Sequence, residues 1–291
     1  MSAGVVTVYA VVAAIDDGRQ LGEDTPTAFV GIAGRTILER CLDGLAASHE
    51  VDRTVVSVSA EMQVEAEELL ASQAVQWAPM TVSVVVGGVE RADSVLAALE
   101  SIERDVGDQE SRVLVAVHDA ARCLTPPAAI AGLVRTACEG VANNAWTGVV
   151  PVVPVPDTAE VTEVTEVVKA VEVACGGAAD GAEVIRSAPV SGVPPDGARG
   201  GLRAAQTPQV FAFDRLLAAN RMQQAREELD SAHPTGEPPS AHSPIEVVDD
   251  SSLMEMAGET VVVVPGSDLA FTISGPADVV QAELLATGEN K

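Results

Sequence analysis

The chain has 291 residues, 47% of them hydrophobic, so it is long enough to bury a full core. Only 2% are aromatic, so Val, Ala and Leu must fill that core, as in Val-rich strands covered by Ala/Leu helices. With 43 acidic against 17 basic residues the net charge is −26, which disfavours nucleic acid and anionic membranes as partners.

The predicted elements alternate strand and helix. Val5 to Ala14 reads as a strand. Thr36 to Ala47 reads as a helix with Ile37, Leu38, Cys41, Leu42 and Leu45 on one face. A strand over Thr54–Ser59, a helix over Glu61–Ser72 and a strand over Met80–Val86 follow. Arg91–Ile102 is a helix, Val113–Val117 a strand, and Pro127–Glu139 a helix with proline near its first turn. Thr147–Val155 closes the series as a strand. This rhythm predicts an α/β fold of three layers, αβα and Rossmann-like, around a mostly parallel sheet.

The rhythm then breaks. From Asp157 to about Arg199 Val alternates with Glu or Thr and then gives way to Gly, Ala and Pro. We read residues 157–200 as a protruding β-arm within a single 1–291 domain. Gln206-Thr207-Pro208-Gln209 reads as a turn and Phe213 to about Glu228 as a helix. Residues 229–246 are rich in Pro, Ser and Gly and read as a flexible loop. A helix near Ser251–Ala257, strands at Thr260–Val264 and Leu269–Ile273, and a helix over Pro276–Ala286 complete the chain.

No leader-like or transmembrane-length apolar segment is evident, and Cys41, Cys123, Cys138 and Cys175 follow no paired or metal-binding spacing. Both features point to the reducing cytoplasm. The histidines, His49, His118, His233 and His242, are too scattered for a metal cluster. His118 alone lies near candidate chemistry, where it can close its strand by a hydrogen bond.

The most informative stretch is Val113-Leu-Val-Ala-Val-His118-Asp119-Ala120-Ala121-Arg122: a buried strand ending in a carboxylate, two small residues and a guanidinium. Open α/β sheets bind ligands at the carboxyl ends of their strands. There Asp119 can hold a divalent cation and Arg122 a phosphate.

Other motifs surround it in order: Gly87-Gly88-Val-Glu-Arg91-Ala-Asp-Ser94-Val95 before it, then Pro154-Val-Pro-Asp157-Thr158, Gln206-Thr207-Pro208-Gln209, and Asp249-Asp250-Ser-Ser252. Each alone is common. The ordered set resembles the 2-C-methyl-D-erythritol 4-phosphate cytidylyltransferase family of the non-mevalonate isoprenoid pathway, from about Val5 to Leu285 apart from the arm tip and the loop after Leu229. The resemblance implies a CTP-dependent nucleotidyltransferase fold. In its reaction a sugar-alcohol phosphate attacks the α-phosphorus of CTP, and pyrophosphate leaves. It implies Mg²⁺ bound by Asp119 beside the triphosphate. Ala13, Ala14, Gly87, Gly88, Ser94, Asp119 and Ala120 would border the nucleotide. Arg122, Thr158, Arg199 and Thr207 would hold the substrate, with Thr158 and Arg199 reaching a neighbouring subunit's site across a homodimer formed through the arm.

The sequence departs from the family where phosphate is handled. The loop after the first strand normally carries Ala-Ala-Gly, a second Gly, an Arg and then Pro-Lys. Aligned on Arg19, the glycines become Ile15 and Asp17; aligned on Pro26, the lysine becomes Thr27. Thr272, Glu160 and Val248 replace two further lysines and a threonine. The chain has only two lysines, Lys169 and Lys291. Arg19, Thr27 and Thr272 therefore occupy the catalytic positions. Loss of one transition-state donor typically costs about 10²–10³ in rate, so impaired activity is expected. Three functions follow: the family's cytidylyl transfer, a non-catalytic homologue that binds nucleotide or pairs through its arm, and a cytidylyltransferase for another polyol phosphate.

Overall fold

The computed structural model describes residues 6–22, 25–107, 112–154, 168–174, 183–187, 202–232 and 249–288. Its elements are β1 (Val6–Ala14), β2 (Gly31–Ile32), β3 (Arg35–Thr36), α1 (Ile37–Ala47), β4 (Arg53–Val58), α2 (Gln63–Gln73), β5 (Thr81–Val86), α3 (Arg91–Val106), β6 (Arg112–Asp119) and α4 (Pro127–Ala142). They continue as β7 (Gly148–Pro154), β8 (Val168–Ala174), β9 (Glu183–Ser187), β10 (Leu202–Ala205), β11 (Gln209–Ala212), α5 (Phe213–Ala232), α6 (Asp250–Met256), β12 (Val261–Pro265) and α7 (Pro276–Thr287).

Among the described residues ten strands form one sheet in the order β10-β8-β9-β12-β7-β11-β6-β1-β4-β5, with β10 also pairing β7. The pairs β6–β1, β1–β4, β4–β5 and β12–β7 are parallel, while β11 runs antiparallel between β6 and β7. Strand periodicity splits the core in two. Val8, Ala10, Val12 and Ala14 of β1 face one layer with α1, α4 and Trp77; Tyr9 and Val11 face the other with α3, α5 and α6. The three-layer expectation holds.

Helix starts follow local chemistry. Thr36 and Glu39 form a capping box for α1, with the Thr36 hydroxyl accepting from the Glu39 amide and the Glu39 carboxylate accepting from the Thr36 amide. Asp249 caps α6 by accepting from the Ser252 amide. Pro127 opens α4 at a position needing no amide donor.

Two expectations change. Leu269–Ile273 is not a strand: its backbone groups go elsewhere, with the Ala270 carbonyl accepting from Arg122 and Gln206 and the Ile273 amide donating to Ala121. Val261–Pro265 is the strand of this region, parallel to β7. The turn at 206–209 is shorter than its motif, because Gln209 already begins β11 and pairs with Val117 of β6.

Within the expected arm, β8 and β9 pair antiparallel, and β8 joins β10 while β9 joins β12. Thr158, Glu160 and Arg199 lie outside the described residues, as do Val248, Cys175 and most of the 229–246 loop. The α5 helix runs past Glu228 to Ala232. No helix among the described residues is long and apolar enough to cross a membrane.

Candidate active site

Strand register gathers the candidate residues on one sheet edge. Ala13 of β1 lies level with Asp119 of β6 on one side and Ser57 of β4 on the other, and Val58 is level with Val86. The chain leaves β5 into Gly87, whose amide donates to the Val58 carbonyl. A Cβ at Gly87 would stand 2.4 Å from both the Ser57 and Ser94 hydroxyl oxygens. Glycine is therefore required here by close approach. Ser94 is fully buried on α3 and donates to the Gly88 carbonyl at 3.3 Å. Ala13, Ala14, Gly87, Gly88 and Ser94 thus border one region of the carboxyl edge.

Asp119 ends β6 at the centre of that edge. Arg91, the first residue of α3, donates from Nε to Asp119 Oδ1 at 2.8 Å and from Nη1 to Asp250 Oδ2 at 2.8 Å. The Arg122 Nε stands 3.9 Å from Asp119 Oδ2. Burial pushes the Asp119 carboxyl upward, but Arg91, Arg122 and His118 together carry it below its ordinary value. For Asp250, burial prevails over Arg91, and Asp249 and Asp119 add to it, so its carboxyl is raised. Arg91 stays protonated: two carboxylates outweigh its desolvation.

Thr207 supports Asp119 from the far side. Its hydroxyl oxygen accepts from the Asp119 amide at 3.0 Å and lies 3.0 Å from His118 Nδ1. Burial, with Arg122 and Arg91 nearby, pulls His118 down to about 4 against the opposing pull of Asp119, so the ring is neutral at pH 7. The expected strand-closing bond is therefore His118 to Thr207.

The residues flanking Thr207 explain its motif. Gln206 donates to the Ser267 carbonyl and accepts from the Ser267 amide, clamping the segment before Ala270. Gln209 donates to Asp249 and accepts from the Ser251 amide, clamping the start of α6. The peptide bond between Thr207 and Pro208 is cis. One short segment thus fixes Asp119, the 266–270 loop and α6 together.

The loop after β1 is less complete. Gly18 has φ +78°, and a Cβ there would fall 1.9 Å from the Thr25 carbonyl oxygen. This closure lets the Thr27 amide donate to the Asp16 carbonyl at 3.0 Å. Thr27 is buried, at 6% exposure, beside the turn 120–122. Thr272 is half-buried and reaches the same turn through the neighbouring Ile273–Ala121 bond. The Arg19 side chain is 87% exposed and pairs with Asp17 at 3.2 Å, so the structure does not bring it onto Asp119. Partial desolvation and repulsion from Asp119 and Asp17 raise the Asp16 carboxyl.

Sequence reasoning assigned no role to Arg91 or Asp250, although both stand inside quoted motifs. The available signal was an arginine directly after Gly-Gly-Val-Glu, at the first turn of a helix pointing at the strand edge.

Among the described residues no group of three His, Cys, Asp or Glu side chains could hold a metal by itself. Mg²⁺ commonly uses one or two carboxylates together with phosphate oxygens and water. The partly exposed carboxylate of Asp119 fits that arrangement.

A family profile described as 2-C-methyl-D-erythritol 4-phosphate cytidylyltransferase matches residues 8–175 and 193–287. A protein of that name from Corynebacterium jeikeium is 43% identical over 286 residues, covering 97% of this chain and 98% of that one. One from Corynebacterium glutamicum is 36% identical over 286 residues, covering 97% and 94%. A solved 2-C-methyl-D-erythritol 4-phosphate cytidylyltransferase from Thermus thermophilus superposes with TM-score 0.57 at 27% identity, covering 96% of this chain and 98% of that one. The 4-diphosphocytidyl-2C-methyl-D-erythritol synthase of Anaerococcus prevotii shares the fold, with TM-score 0.64 at 18% identity, covering 97% and 96%. With the profile matching on both sides of the arm and a relative 43% identical over 97% of this sequence, the chain belongs to the 2-C-methyl-D-erythritol 4-phosphate cytidylyltransferase family.

Proposed function

We propose that the protein transfers CMP from CTP to 2-C-methyl-D-erythritol 4-phosphate, at a rate lowered by its lost lysines. An oxygen of the acceptor phosphate bonds to the α-phosphorus of CTP. The bond from that phosphorus to the bridging oxygen breaks, and pyrophosphate leaves. The observation that carries this reading is the full-length family match together with Asp119, Arg122, Thr207, Gly87 and Ser94 at one strand edge.

The chemistry asks for positioning and charge stabilisation. Gly87 and Gly88, packed on the Ser57, Ser94 and Asp93 side chains, hold the β5–α3 turn where the base would sit, and the Ser94 hydroxyl fixes the Gly88 carbonyl. Thr207 orients Asp119 through its amide. Arg122, anchored on the Ala270 carbonyl, sets a positive charge beside Asp119 at the strand edge where the phosphates would lie. Mg²⁺ on Asp119 supplies positive charge against the triphosphate when bound. The family resemblance implies that Thr158 and Arg199 would serve a second subunit's site in a homodimer, and the reaction would run in the cytoplasm.

A second reading, nucleotide binding without turnover, is favoured by one observation. Thr27 and Thr272 flank the 120–122 turn where the family has lysines, and Asp16 adds negative charge. Calorimetric titration with CTP in excess Mg²⁺, beside Asp119→Ala, tests the proposal. Binding that disappears in Asp119→Ala, together with pyrophosphate release once the acceptor is added, supports transfer. The same binding without release selects the second reading, and no binding at millimolar CTP ends both.

A further inference from the structure

Arg91 joins three elements that are far apart in sequence. It sits at the start of α3, and its two donors reach Asp119 at the end of β6 and Asp250 at the start of α6, each at 2.8 Å. Asp250 is 5% exposed and cannot leave: the adjacent Asp249 caps α6, and Gln209 holds both Asp249 and the Ser251 amide. A buried carboxylate is costly without a cation, and Arg91 is the cation the structure gives it. The planar guanidinium fork is what allows one side chain to satisfy two separate carboxylates.

The grip divides the two oxygens of Asp119. Oδ1 is taken by Arg91, whereas Oδ2 faces Thr207 Oγ1 at 3.4 Å and Arg122 Nε at 3.9 Å. We propose that Arg91, anchored by Asp250, is a positioning residue that pins Asp119 Oδ1, holds Oδ2 on the side of Thr207 and Arg122, and limits the negative charge Asp119 offers to a divalent cation. The inference rests on the reading of Asp119 as the cation-binding carboxylate. Asp250 then opposes Arg91 in charge while supporting it in geometry.

This gives the two residues opposite effects on cation affinity, which a simple staple between α3, β6 and α6 does not. The test is Mn²⁺ titration of the free protein, followed by electron paramagnetic resonance, with circular dichroism as the check on folding. Arg91→Gln removes the competing positive charge and tightens Mn²⁺ binding about tenfold, whereas Asp250→Asn removes a negative charge and weakens it severalfold. Arg91→Lys keeps the charge but loses the fork, so its Mn²⁺ affinity stays near that of the parent while its CTP affinity falls. Should Arg91→Gln not fold, Asp250→Asn and Arg91→Lys still decide: weaker Mn²⁺ binding in the first, with parental Mn²⁺ affinity but weaker CTP binding in the second, supports the proposal. Equal affinities in all variants, shifts in the same direction for Arg91→Gln and Asp250→Asn, or no Mn²⁺ binding at all overturns it. Mn²⁺ binding is read without turnover, so a protein that binds Mn²⁺ as described but releases no pyrophosphate refutes cytidylyl transfer and leaves this inference standing.

Discussion

At Gly87 less than the space of one methyl group separates the end of β5 from the Ser57 and Ser94 side chains. A Cβ 2.4 Å from two hydroxyl oxygens forces the β5–α3 turn outward. Gly87→Ala should cost about 1–3 kcal/mol, the usual range for overpacking, measured by urea unfolding. CTP binding should fall with it; a variant of parental stability would contradict the close approach. Thr27 and Thr272 test the opposite change. Each stands beside the 120–122 turn, and Thr27→Lys with Thr272→Lys restores two donors next to the proposed phosphates. Steady-state pyrophosphate release should rise at least tenfold in the double variant if the missing donors limit the rate. An unchanged kcat would place the limitation elsewhere, with the acidic pair Asp16 and Asp17 the next residues to change.

Among the elements, the segment from Gln206 to Gln209 works as a junction. Gln206 holds the 266–270 loop, Thr207 holds Asp119, and Gln209 holds the N-terminus of α6. Gln209→Ala leaves the Ser251 amide without its side-chain acceptor and removes a donor from Asp249, at a cost of about 1–3 kcal/mol. Hydrogen exchange should show the loss concentrated in α6, with β1 and β4 unchanged. The motif was legible as a turn, since Thr-Pro in a polar setting breaks a helix or strand. Its two glutamines were not legible as clamps, because their partners lie 40 to 61 residues further on. The same distance problem explains Leu269–Ile273. Its apolar residues fit a strand pattern, yet β12 has already taken the place beside β7, and the Ala270 carbonyl is claimed by Arg122 and Gln206.

On the scale of the whole molecule, buried titratable groups and a charge of −26 set the response to pH and salt. His118 is neutral in the fold and titrates near 4, against about 6.5 for an exposed histidine. Between those values the unfolded chain binds the extra proton, so His118 lowers stability as pH falls from 6.5 toward 4. The full effect is about 3 kcal/mol. Asp250, with its raised carboxyl, acts in the opposite sense, taking up its proton in the fold first as pH falls below the raised value. Denaturant unfolding from pH 7 to 4 should show a smaller loss in His118→Gln than in the parent; equal slopes would rule His118 out as a source. Salt should act unusually on CTP. Raising ionic strength from about 0.01 to 0.1 M shortens the screening length from about 30 to 10 Å. That relieves repulsion between an acidic protein and an anionic nucleotide, so affinity should rise with salt over this range in calorimetric titrations.

The sequence by itself determined the layers, because side-chain periodicity is local: alternation in β1 and the 3.6-residue pattern of α1 and α3 decide which faces are buried wherever the strands meet. It also determined that His118-Asp119-Ala120-Ala121-Arg122 ends a buried strand, which makes this segment the candidate site whatever its neighbours. Only the tertiary structure decided the role of Arg91, which depends on β6 and α6 bringing two carboxylates to the first turn of α3. It alone separated Arg19, 87% exposed and paired with Asp17, from Arg122, anchored beside Asp119. The reason is physical: burial patterns are written in neighbouring residues, whereas the charge a side chain feels is set by groups within a few ångströms that the chain supplies from anywhere along its length.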